Sequence, residues 1–529
     1  MTILDLFRQS VSKYPDHIAL EIDSRSWTYG ELDNESDKFA LALKSLRNFK
    51  ESRFIALLSS RSFETYVGVL GILKSGKAFI PVNPKYPDQR IARMLEVAEC
   101  RIAILDDGFF KRIERIVSGL ANCRIAVLAY SHLTRQWFNH SQLDFFDLRE
   151  LHCNSSESAV RNIDQNDYAY LLFTSGSTGI PKGIPVRHKS IYVYISLMLK
   201  KYNINPTDRC SQYFDTSFDP SIHDLFLAWS KGACLVCVPE SQMLSPIRFI
   251  KQNNITVWNS VPSMVEINAR LHTLKDNFLP QLKYTLFTGE ALYFDSFQKW
   301  KRVAPNSIII NGYGPTELTI NISDYVIPDE LSLDDCKNGI VPIGKIFPDH
   351  VARLIDSANS SLCEIGKGEL CVRGPQMVGE YWRNKEADDL YYVVLNNDGQ
   401  KWYKTGDLVE IDQNGIIHYL GRKDHQVQIR GFRVELSEVE ATLRGLCGVI
   451  QAVVFSWPFE GKMVVGLVAA LHCNGEISYK EILQKCSESL PDYMVPRELF
   501  FLDGFPVNVN GKIDRQAIKE HIRKEKSDA

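Results

Sequence analysis

The feature that most constrains the fold of this chain is a small polar loop directly after an apolar run. Tyr168 to Phe173 are apolar or aromatic, which predicts a buried strand. The next segment, Thr174-Ser-Gly-Ser-Thr-Gly179, has little side-chain bulk and four hydroxyl groups, and Lys182 adds a positive charge. Such a loop can bring backbone N–H groups, hydroxyls and an ammonium group close to a polyphosphate.

A surface turn is the alternative for this loop, because small polar residues often follow a strand. The order of the residues differs from the GxxxxGK[ST] phosphate loop, so the string does not support an ordinary nucleotide hydrolase. The complete string, Leu171 to Gly183, resembles the phosphate loop of the adenylate-forming enzymes. These are the acyl-CoA synthetases, the luciferases and the adenylation domains of nonribosomal peptide synthetases.

Length and composition exclude several classes of protein. A chain of 529 residues is too long for one ordinary core, so two or more domains are expected. The net charge of −3 gives no basis for binding nucleic acid or an anionic membrane. Asp5 and Arg8 interrupt the apolar pattern of the first ten residues, which predicts an amphipathic helix rather than a secretion signal, and no apolar run is long enough to span a bilayer.

The twelve cysteines are scattered and mostly lie in apolar segments, which predicts reduced thiols in a cytoplasmic protein. Cys234 and Cys237 form the single CxxC, within an apolar run that predicts a buried strand. No second Cys or His pair lies nearby in the sequence, so we expect neither a zinc site nor a redox site there.

Strand and helix patterns alternate through the first part of the chain, which predicts an α/β fold with largely parallel sheets. Strand patterns occur at 54–58, 78–82, 101–105 and 124–128, and a helix pattern occurs at 66–73. A capping box, Thr28 to Glu31, predicts the start of a further helix. Residues 130–165 are polar and predict a connecting region, whereas short strands and Gly turns in 339–423 predict a β-rich subdomain.

The last hundred residues have the pattern of a small α+β domain. Ser437 to Glu440 predicts a capping box, and strand-like runs follow at 450–456 and 463–471. We expect two domains, 1–423 and 424–529. The resemblance implies that the large domain contains the ATP and amino-acid sites, and that the small domain is mobile and carries a catalytic lysine.

A second motif, Asn311-Gly-Tyr-Gly-Pro-Thr-Glu317, follows the apolar run that ends at Ile310. Tyr313 can stack on a purine, and Glu317 can ligate Mg²⁺ near phosphate oxygens. A structural turn with a core tyrosine is the alternative. The motif is similar to the one that binds adenine and the metal in the adenylate-forming enzymes.

Two further motifs place a charged residue on a turn. Asp407 follows Thr405-Gly406, and a carboxylate there suits a ribose diol. Lys512 follows Asn510-Gly511, where its ammonium can stabilise the negative charge that develops when a carboxylate attacks the α-phosphorus of ATP. Taken alone, either residue is more typical of an exposed surface position, but both motifs resemble family motifs and occur in family order.

The resemblance implies a complete set of site residues, with ATP and Mg²⁺ as cofactors. Lys512 would be catalytic, Glu317 would bind the metal, and Asp424 would be the hinge of the small domain. Gln428 stands where many relatives have lysine. The residues implied for ATP or AMP binding are Thr174, Ser175, Gly176, Ser177, Thr178, Lys182, Gly289, Glu290, Asn311, Gly312, Tyr313, Gly314, Thr316, Asp407 and Arg422.

The branch of the family is indicated by Phe218-Asp-Pro-Ser-Ile-His-Asp-Leu-Phe226. Amino-acid-activating domains have an aspartate in such an FDxS segment, here Asp219, that pairs with the substrate ammonium. A buried ammonium needs an opposite charge, and a carboxylate supplies it. The alternative is that Asp219 caps the following helix. A second FDxS at Phe214 to Ser217 fits the following helix less well.

The resemblance also implies which residues line the amino-acid pocket. None of them carries a charge that would pair with an acidic or basic substrate side chain. We therefore expect a small neutral amino acid, such as proline, alanine, serine or threonine. The pocket residues are Asp219, Pro220, His223, Asn259, Leu286, Thr288, Gly312, Ile320 and Asn321.

The expected reaction is formation of an aminoacyl-AMP with release of pyrophosphate, followed by transfer to a phosphopantetheine thiol, as in secondary-metabolite synthesis. Seventeen residues follow Lys512, and they contain no carrier-protein serine motif. We therefore expect the enzyme to deliver its product to a separate carrier protein. We also expect a monomer. Three alternatives are a carboxylic acid:CoA ligase, which would differ mainly at Asp219, a P-loop-type ATPase, and a non-catalytic binding protein with this fold.

Overall fold

The computed structural model describes the chain in two compact units. Unit 1 comprises Met1–Pro84, Leu95–Phe173 and Gly183–Lys423, and unit 2 comprises Lys85–Met94, Thr174–Lys182 and Asp424–Ala529. Most of the predicted connecting region lies outside the described residues. The described residues are 1–120, 125–129, 143–147, 163–176, 180–355, 362–395, 399–424, 426–458, 463–474, 478–507 and 513–527.

Helices and strands alternate through much of the first part of the described chain, as the sequence pattern predicts. None of the helices in these ranges combines the length and the apolar character that a membrane crossing requires. The helices are α1 (Ile3–Lys13), α2 (Tyr29–Ser45), α3 (Phe63–Lys74), α4 (Asp88–Val97), α5 (Phe110–Ser118), α6 (His188–Lys201), α7 (Pro220–Trp229), α8 (Ile247–Gln252), α9 (Ser263–Arg270), α10 (Phe294–Val303), α11 (Lys385–Tyr391), α12 (Leu436–Arg444), α13 (Tyr479–Ser489) and α14 (Arg515–Ser527).

The largest sheet in the described part of unit 1 has nine strands, in the order β16-β15-β14-β13-β12-β10-β11-β1-β2. Its centre, from β14 to β1, is parallel, and the edges are antiparallel. The strands are β1 (Ile18–Ile22), β2 (Arg25–Thr28), β10 (Arg209–Gln212), β11 (Cys234–Cys237), β12 (Val257–Ser260), β13 (Tyr284–Phe287), β14 (Ile308–Tyr313), β15 (Ser323–Val326) and β16 (Lys345–Ile346).

A second sheet of seven described strands has the order β7-β6-β5-β3-β4-β8-β9. All the pairings described from β7 to β8 are parallel, which confirms the α/β class. The strands are β3 (Phe54–Leu58), β4 (Ala78–Val82), β5 (Ile102–Leu105), β6 (Ile125–Ala129), β7 (Leu143–Asp147), β8 (Tyr168–Thr174) and β9 (Lys182–Arg187).

The predicted β-rich part of the chain forms a third, antiparallel sheet in unit 1. Within the described ranges its order is β18-β17-β19-β21-β20, and one further strand, β22, pairs with β21. The strands are β17 (Val351–Ile355), β18 (Leu362–Cys363), β19 (Gly366–Arg373), β20 (Tyr392–Val394), β21 (Lys401–Ile411) and β22 (Ile417–Arg422).

The described part of unit 2 contains a β-hairpin and a three-stranded sheet, together with α12, α13 and α14. The three-stranded sheet packs its apolar side chains with those of α12 and α13 around a core of its own. The strands are β23 (Gln426–Ile429), β24 (Phe432–Glu435), β25 (Val449–Trp457), β26 (Gly466–Cys473) and β27 (Glu498–Phe501).

One predicted capping box is confirmed and the other is wrong. Thr28 accepts a hydrogen bond from the Glu31 N–H at 3.1 Å, and the Glu31 carboxylate accepts one from the Thr28 N–H at 2.8 Å. In unit 2, α12 begins one residue before Ser437, and Glu435 at its N-cap makes no side-chain capping bond. Glu440 instead accepts from the Val454 N–H and pairs with Arg515, because tertiary partners compete with local capping.

The CxxC residues lie in β11 and are buried, as predicted. Burial raises the pKa of both the Cys234 and Cys237 thiols to about 12. Protonated thiols are poor nucleophiles and poor metal ligands, so this geometry gives neither cysteine a reactive character.

Candidate functional site

The carboxyl ends of β12, β13 and β14 meet at one edge of the large parallel sheet in unit 1. Asn259 of β12 is in register with Leu286 of β13, which is in register with Ile310 of β14. Asn311, Gly312 and Tyr313 complete β14. This edge is the place where ligands bind in open parallel sheets. The fold therefore brings together pocket and nucleotide residues that are more than fifty positions apart in the chain.

Asp219 lies at the N-cap position of α7, but its side chain makes no capping hydrogen bond. The carboxylate is 8% exposed and accepts a hydrogen bond from the Ile320 N–H at 3.1 Å. The Thr316 hydroxyl is a second donor. Among the described residues, no lysine, arginine or histidine forms an ion pair with Asp219. Burial consequently raises its pKa to about 7. A buried carboxylate without a cationic partner is more consistent with binding a cationic ligand than with capping the helix.

The backbone that faces Asp219 is strained. Thr319 and Ile320 have φ values of +61° and +72°, and a β-branched residue in this left-handed region costs about 1–3 kcal/mol. The Gln376 amide stabilises the segment, since its Nε2 donates to the carbonyl oxygens of Thr319 at 3.1 Å and Asn321 at 2.9 Å. The strained segment thereby directs the Ile320 N–H at the carboxylate.

The raised pKa of Asp219 predicts a pH dependence of substrate affinity. If the carboxylate binds an ammonium group, it must be ionised, so the amino-acid KM should rise as the pH falls below about 7. Between pH 8.5 and pH 5.5 the expected increase is ~30-fold. The measurement is amino-acid KM in ATP–pyrophosphate exchange at saturating ATP. Burial keeps His223 neutral over this range, because it lowers the imidazole pKa to about 3.

The Asp219→Asn variant is the control for this pH series, because an amide does not titrate. Its residual KM should not change with pH. A wild-type KM that stays constant across the series would contradict the assignment of Asp219 as the ammonium partner.

A buried polar network forms one part of the predicted pocket wall. Tyr194, on α6, contacts His223 Nδ1 through its hydroxyl at 2.9 Å, and Asn321 Nδ2 lies 3.4 Å from the same hydroxyl. The Thr288 hydroxyl donates to Asn321 Oδ1 at 2.8 Å. All four side chains are buried. The structure therefore joins three predicted wall residues through Tyr194, which sequence analysis did not identify.

Asn259 is held by a second residue that sequence analysis missed. Its Nδ2 donates to the Asp224 carboxylate at 2.7 Å, and Asp224 also accepts from the Tyr213 N–H. Asp224 lies on α7, one residue after His223. The only sequence signal for it was a carboxylate inside a largely apolar helix, which predicts a buried polar contact.

Gly312 lies where the wall comes closest to the backbone of β14. A Cβ atom added there would lie 2.5 Å from Asn321 Nδ2 and 3.1 Å from Leu286 Cδ1. Only glycine fits such an approach without displacing its neighbours.

The remaining pocket residues lie nearby in the fold. Pro220 is the first residue of α7, and Ile320 follows the one-turn 3-10 helix Thr316–Leu318. All the predicted pocket residues thus lie in unit 1, around one end of its largest sheet.

The nucleotide residues of unit 1 also come together. The Tyr313 hydroxyl donates to Asp407 Oδ2 at 2.5 Å, and Arg422 Nη1 lies 2.6 Å from Asp407 Oδ1. β21 and β22 place Asp407 opposite Arg422 in register. The carboxylate is thereby fixed between an aromatic ring and a guanidinium group, which is a suitable surrounding for a nucleoside.

Changing Asp407 to asparagine should weaken ATP binding selectively. The amide keeps the shape of the side chain but loses the charge, and a charge-assisted hydrogen bond to a ribose hydroxyl contributes about 1.5–3 kcal/mol. We expect ATP KM to rise about 10- to 100-fold while amino-acid KM changes little. Tyr313→Phe is the matched control, since it removes the contact with Asp407 and keeps the ring. An unchanged ATP KM in Asp407→Asn would contradict this role.

Glu317 is 1% exposed, and its Oε1 accepts a hydrogen bond from the Tyr381 hydroxyl at 2.7 Å. A carboxylate oxygen is the ligand type that Mg²⁺ prefers, so the residue fits the predicted metal role.

Other predicted nucleotide residues have structural contacts. The Asn311 amide donates to the Val341 and Pro342 carbonyls, and Glu290 accepts from the Ser263 N–H. Gly289 has a φ of +84°, and Gly314 follows β14.

In unit 2, the described part of the phosphate loop already contacts carboxylates. The Gly176 N–H donates to Glu438 at 3.1 Å, and Lys182 Nζ lies 3.7 Å from Glu435 Oε1. The Ser175 hydroxyl accepts from the Glu435 N–H. The Gly176 N–H and the Lys182 ammonium group thus each contact a carboxylate here, and their contact with phosphate stays a prediction. Thr174 ends β8, and Asp424 accepts from the Gln426 N–H. Ser177, Thr178 and Lys512 lie outside the described residues.

Comparison with known proteins gives a family for the whole chain. The AMP-binding enzyme model matches residues 7–382, and the AMP-binding enzyme C-terminal domain model matches residues 438–512. The chain is 30% identical over 524 residues to tyrocidine synthase 3 of Brevibacillus parabrevis, with 98% of this chain and 8% of that protein covered. It is 29% identical to zwittermicin A synthase ZmaJ of Bacillus cereus, with 98% and 94% covered.

Among solved structures, the chain resembles the adenylation domain AlmE of Vibrio cholerae in complex with glycyl-adenosine-5'-phosphate. The TM-score is 0.87 at 28% identity, with 99% of this chain and 98% of that chain covered. The chain spans between 6% and 19% of the length of four synthases that it matches. These matches confirm the resemblance that the motifs indicated. The chain belongs to the AMP-binding enzyme family and is an AMP-forming ligase, an adenylation domain of the nonribosomal peptide synthetase type.

Proposed function

We propose that this protein uses ATP to activate a small neutral amino acid and then passes it to a carrier protein. The substrate carboxylate attacks the α-phosphorus of ATP, which forms an aminoacyl-AMP and releases pyrophosphate. The thiol of a phosphopantetheine arm on a separate carrier protein then attacks the carbonyl carbon. A thioester forms, AMP leaves and the thiol proton is released.

The observation that carries this proposal is the environment of Asp219. Its carboxylate is buried, accepts bonds from Ile320 and Thr316, and has no cationic partner among the described residues. A buried carboxylate is costly unless a cation pairs with it, and an α-ammonium group supplies that cation. A carboxylic acid without an ammonium group would leave Asp219 unpaired, which favours an amino acid over an acyl or aryl acid.

The remaining roles follow from position and chemistry. We assign the nucleoside to Tyr313 and Asp407, and the phosphates to the loop that includes Ser175 and Lys182. Lys512 would stabilise the negative charge on the α-phosphate in the transition state, so its contribution is electrostatic. Glu317 would hold Mg²⁺, which supplies positive charge to the phosphates when bound.

A small neutral substrate is favoured by the wall of the pocket. The predicted wall residues other than Asp219 include no charged side chain, and Leu286 and Asn321 approach Gly312 closely. A charged substrate side chain would be left without a partner there. The related AlmE structure contains a glycyl adenylate, which is also formed from a small amino acid.

Amino-acid-dependent ATP–pyrophosphate exchange tests the first step. The panel includes the proteinogenic L-amino acids, D-alanine, a benzoate and a medium-chain fatty acid. We expect a strong signal with a small neutral amino acid. Exchange restricted to the aryl or fatty acid would instead identify a carboxylic acid:CoA ligase. Production of ADP and phosphate would indicate an ATPase, and no turnover with any acid would indicate a binding protein.

The second step is tested with two small thiols. Pantetheine represents the arm of a carrier protein, and coenzyme A is the acceptor of the alternative ligase. Mass spectrometry of the products should reveal an aminoacyl thioester of pantetheine. Rapid, saturable turnover with coenzyme A and a carboxylic acid that lacks an amino group would contradict the proposed function.

A further inference from the structure

Asn259 contributes an unsatisfied acceptor to the wall of the amino-acid pocket. The residue is 2% exposed, and its Oδ1 is buried without a hydrogen-bond partner in the described part of the chain. A buried carbonyl oxygen without a donor costs about 1–3 kcal/mol. A bound ligand with a donor would remove that cost.

The orientation of the Asn259 amide follows from its contact with Asp224. Asp224 accepts hydrogen bonds from the Tyr213 and Phe214 N–H groups as well as from Asn259. In this structure Asn259 directs its Nδ2 at Asp224 Oδ1, which leaves its Oδ1 for another group.

His223 is a second residue of the predicted wall whose side chain has an unpaired atom. The Asn321 amide nitrogen donates to the Tyr194 oxygen, so the Tyr194 hydroxyl proton is available for His223 Nδ1. The neutral imidazole then carries its own proton on Nε2. No described residue forms a hydrogen bond with Nε2. The ring is 1% exposed, so bulk water is excluded from most of it.

The other polar groups of the wall are already paired. The Thr288 hydroxyl donates to Asn321 Oδ1, and Asn321 Nδ2 donates to Tyr194. Among the described residues of the predicted wall, the acceptor Asn259 Oδ1 and the donor His223 Nε2–H are therefore left without a protein partner. A hydroxyl group is the smallest group that both donates and accepts. Alanine, proline and glycine have no side chain that could pair with either atom.

We propose that the substrate is a hydroxy amino acid, serine or threonine, whose side-chain hydroxyl donates to Asn259 Oδ1. This inference rests on the proposed function and makes its substrate class more specific. A site that hydrogen-bonds a substrate hydroxyl discriminates strongly against an analogue without it, since the polar protein groups would remain unpaired.

The test compares substrates in which the hydroxyl group is present, absent or replaced by a methyl group. L-Serine is compared with L-alanine, and L-threonine with L-2-aminobutyrate and with L-valine, in ATP–pyrophosphate exchange. We expect kcat/KM for serine or for threonine to exceed that of its partner without the hydroxyl by ~100-fold or more. Replacing Asn259 with leucine, which has a similar size and no acceptor, should reduce this ratio to about tenfold or less.

Asn268→Leu is the matched control. Asn268 is a fully buried asparagine on α9 that bonds to Met264, Ser245 and Thr273, outside the pocket. Its loss should lower thermal stability but leave the hydroxyl preference intact. If Asn259→Leu does not fold, the wild-type comparison alone decides the question.

A wild-type preference for alanine, proline or glycine over serine and threonine would overturn this inference while leaving the proposed function in place. A hydroxyl preference that persists undiminished in Asn259→Leu would also overturn it. Exchange that occurs with no amino acid at all, but with an aryl or fatty acid, would instead reject the proposed function.

Discussion

Replacing Asp219 with asparagine should strongly reduce amino-acid activation without weakening the fold. The carboxylate is buried beside Ile320 and Thr316, and a bound ammonium group would be its only cationic partner among the groups described. Removing one member of a buried, hydrogen-bonded charge pair costs about 2–5 kcal/mol, so kcat/KM for the amino acid should fall by ~100- to 1,000-fold. ATP–pyrophosphate exchange measures this loss.

The same variant distinguishes the ammonium role from a capping role. At pH 8 the ionised carboxylate of the substrate-free protein is buried and unpaired, so an amide there should leave the unfolding midpoint unchanged or raise it. A capping role predicts the opposite, which is a loss of about 1 kcal/mol of stability with exchange retained. Thermal unfolding of the wild-type and Asp219→Asn proteins, with and without substrate, distinguishes the ammonium role from the capping role. Retained exchange in Asp219→Asn would reject the amino-acid branch.

Replacing Lys512 with alanine should cause a loss of activity of similar size. This loss should appear in kcat, whereas the loss in Asp219→Asn is measured as kcat/KM for the amino acid. The lysine follows Asn510-Gly511, and we propose that its ammonium stabilises charge that develops only in the transition state. Removing one such group typically lowers kcat by 10²- to 10³-fold, so we expect about that loss in the exchange rate. KM for ATP and for the amino acid should change much less, because ground-state binding does not depend on this charge.

Lys524→Ala is the control for this variant. Lys524 is an exposed residue of α14, so its replacement removes one positive charge from the same terminal segment. Exchange in Lys524→Ala should remain at the wild-type level. An Lys512→Ala protein with a wild-type exchange rate would show that the lysine does not act in the chemical step.

Local pattern was enough to predict most of the fold. Strands β3 and β4 occupy the residues that their apolar runs indicate, and the predicted edges of other strands differ by only a few residues. The capping box at Thr28 was predictable because its two partners are three residues apart. The box at Ser437 was not, because Glu440 finds its partner Arg515 seventy-five positions away. Local patterns cannot reveal such competition.

The candidate site, like the fold, contains residues that local motifs predict and residues that only tertiary packing determines. Motifs predicted Asp219, Tyr313 and Asp407, because each lies in a short motif whose residue types suit a specific contact with the amino acid or the nucleotide. The residues that fix their neighbours were missed, since a bond such as Tyr194 to His223 or Asp224 to Asn259 depends on how helix and sheet pack. Gln376, which stabilises the strained segment beside Asp219, has no sequence signal at all.

The hydrogen-bonded chain of Tyr194, His223, Asn321 and Thr288 has a consequence for the divergence and redesign of this enzyme. Each of these side chains forms a hydrogen bond with a buried neighbour, so changing one alone would leave the next without its partner. Substrate preference should therefore change in concerted steps, with several of these positions replaced together. Libraries that vary the four positions jointly should yield new activities that single-site libraries miss.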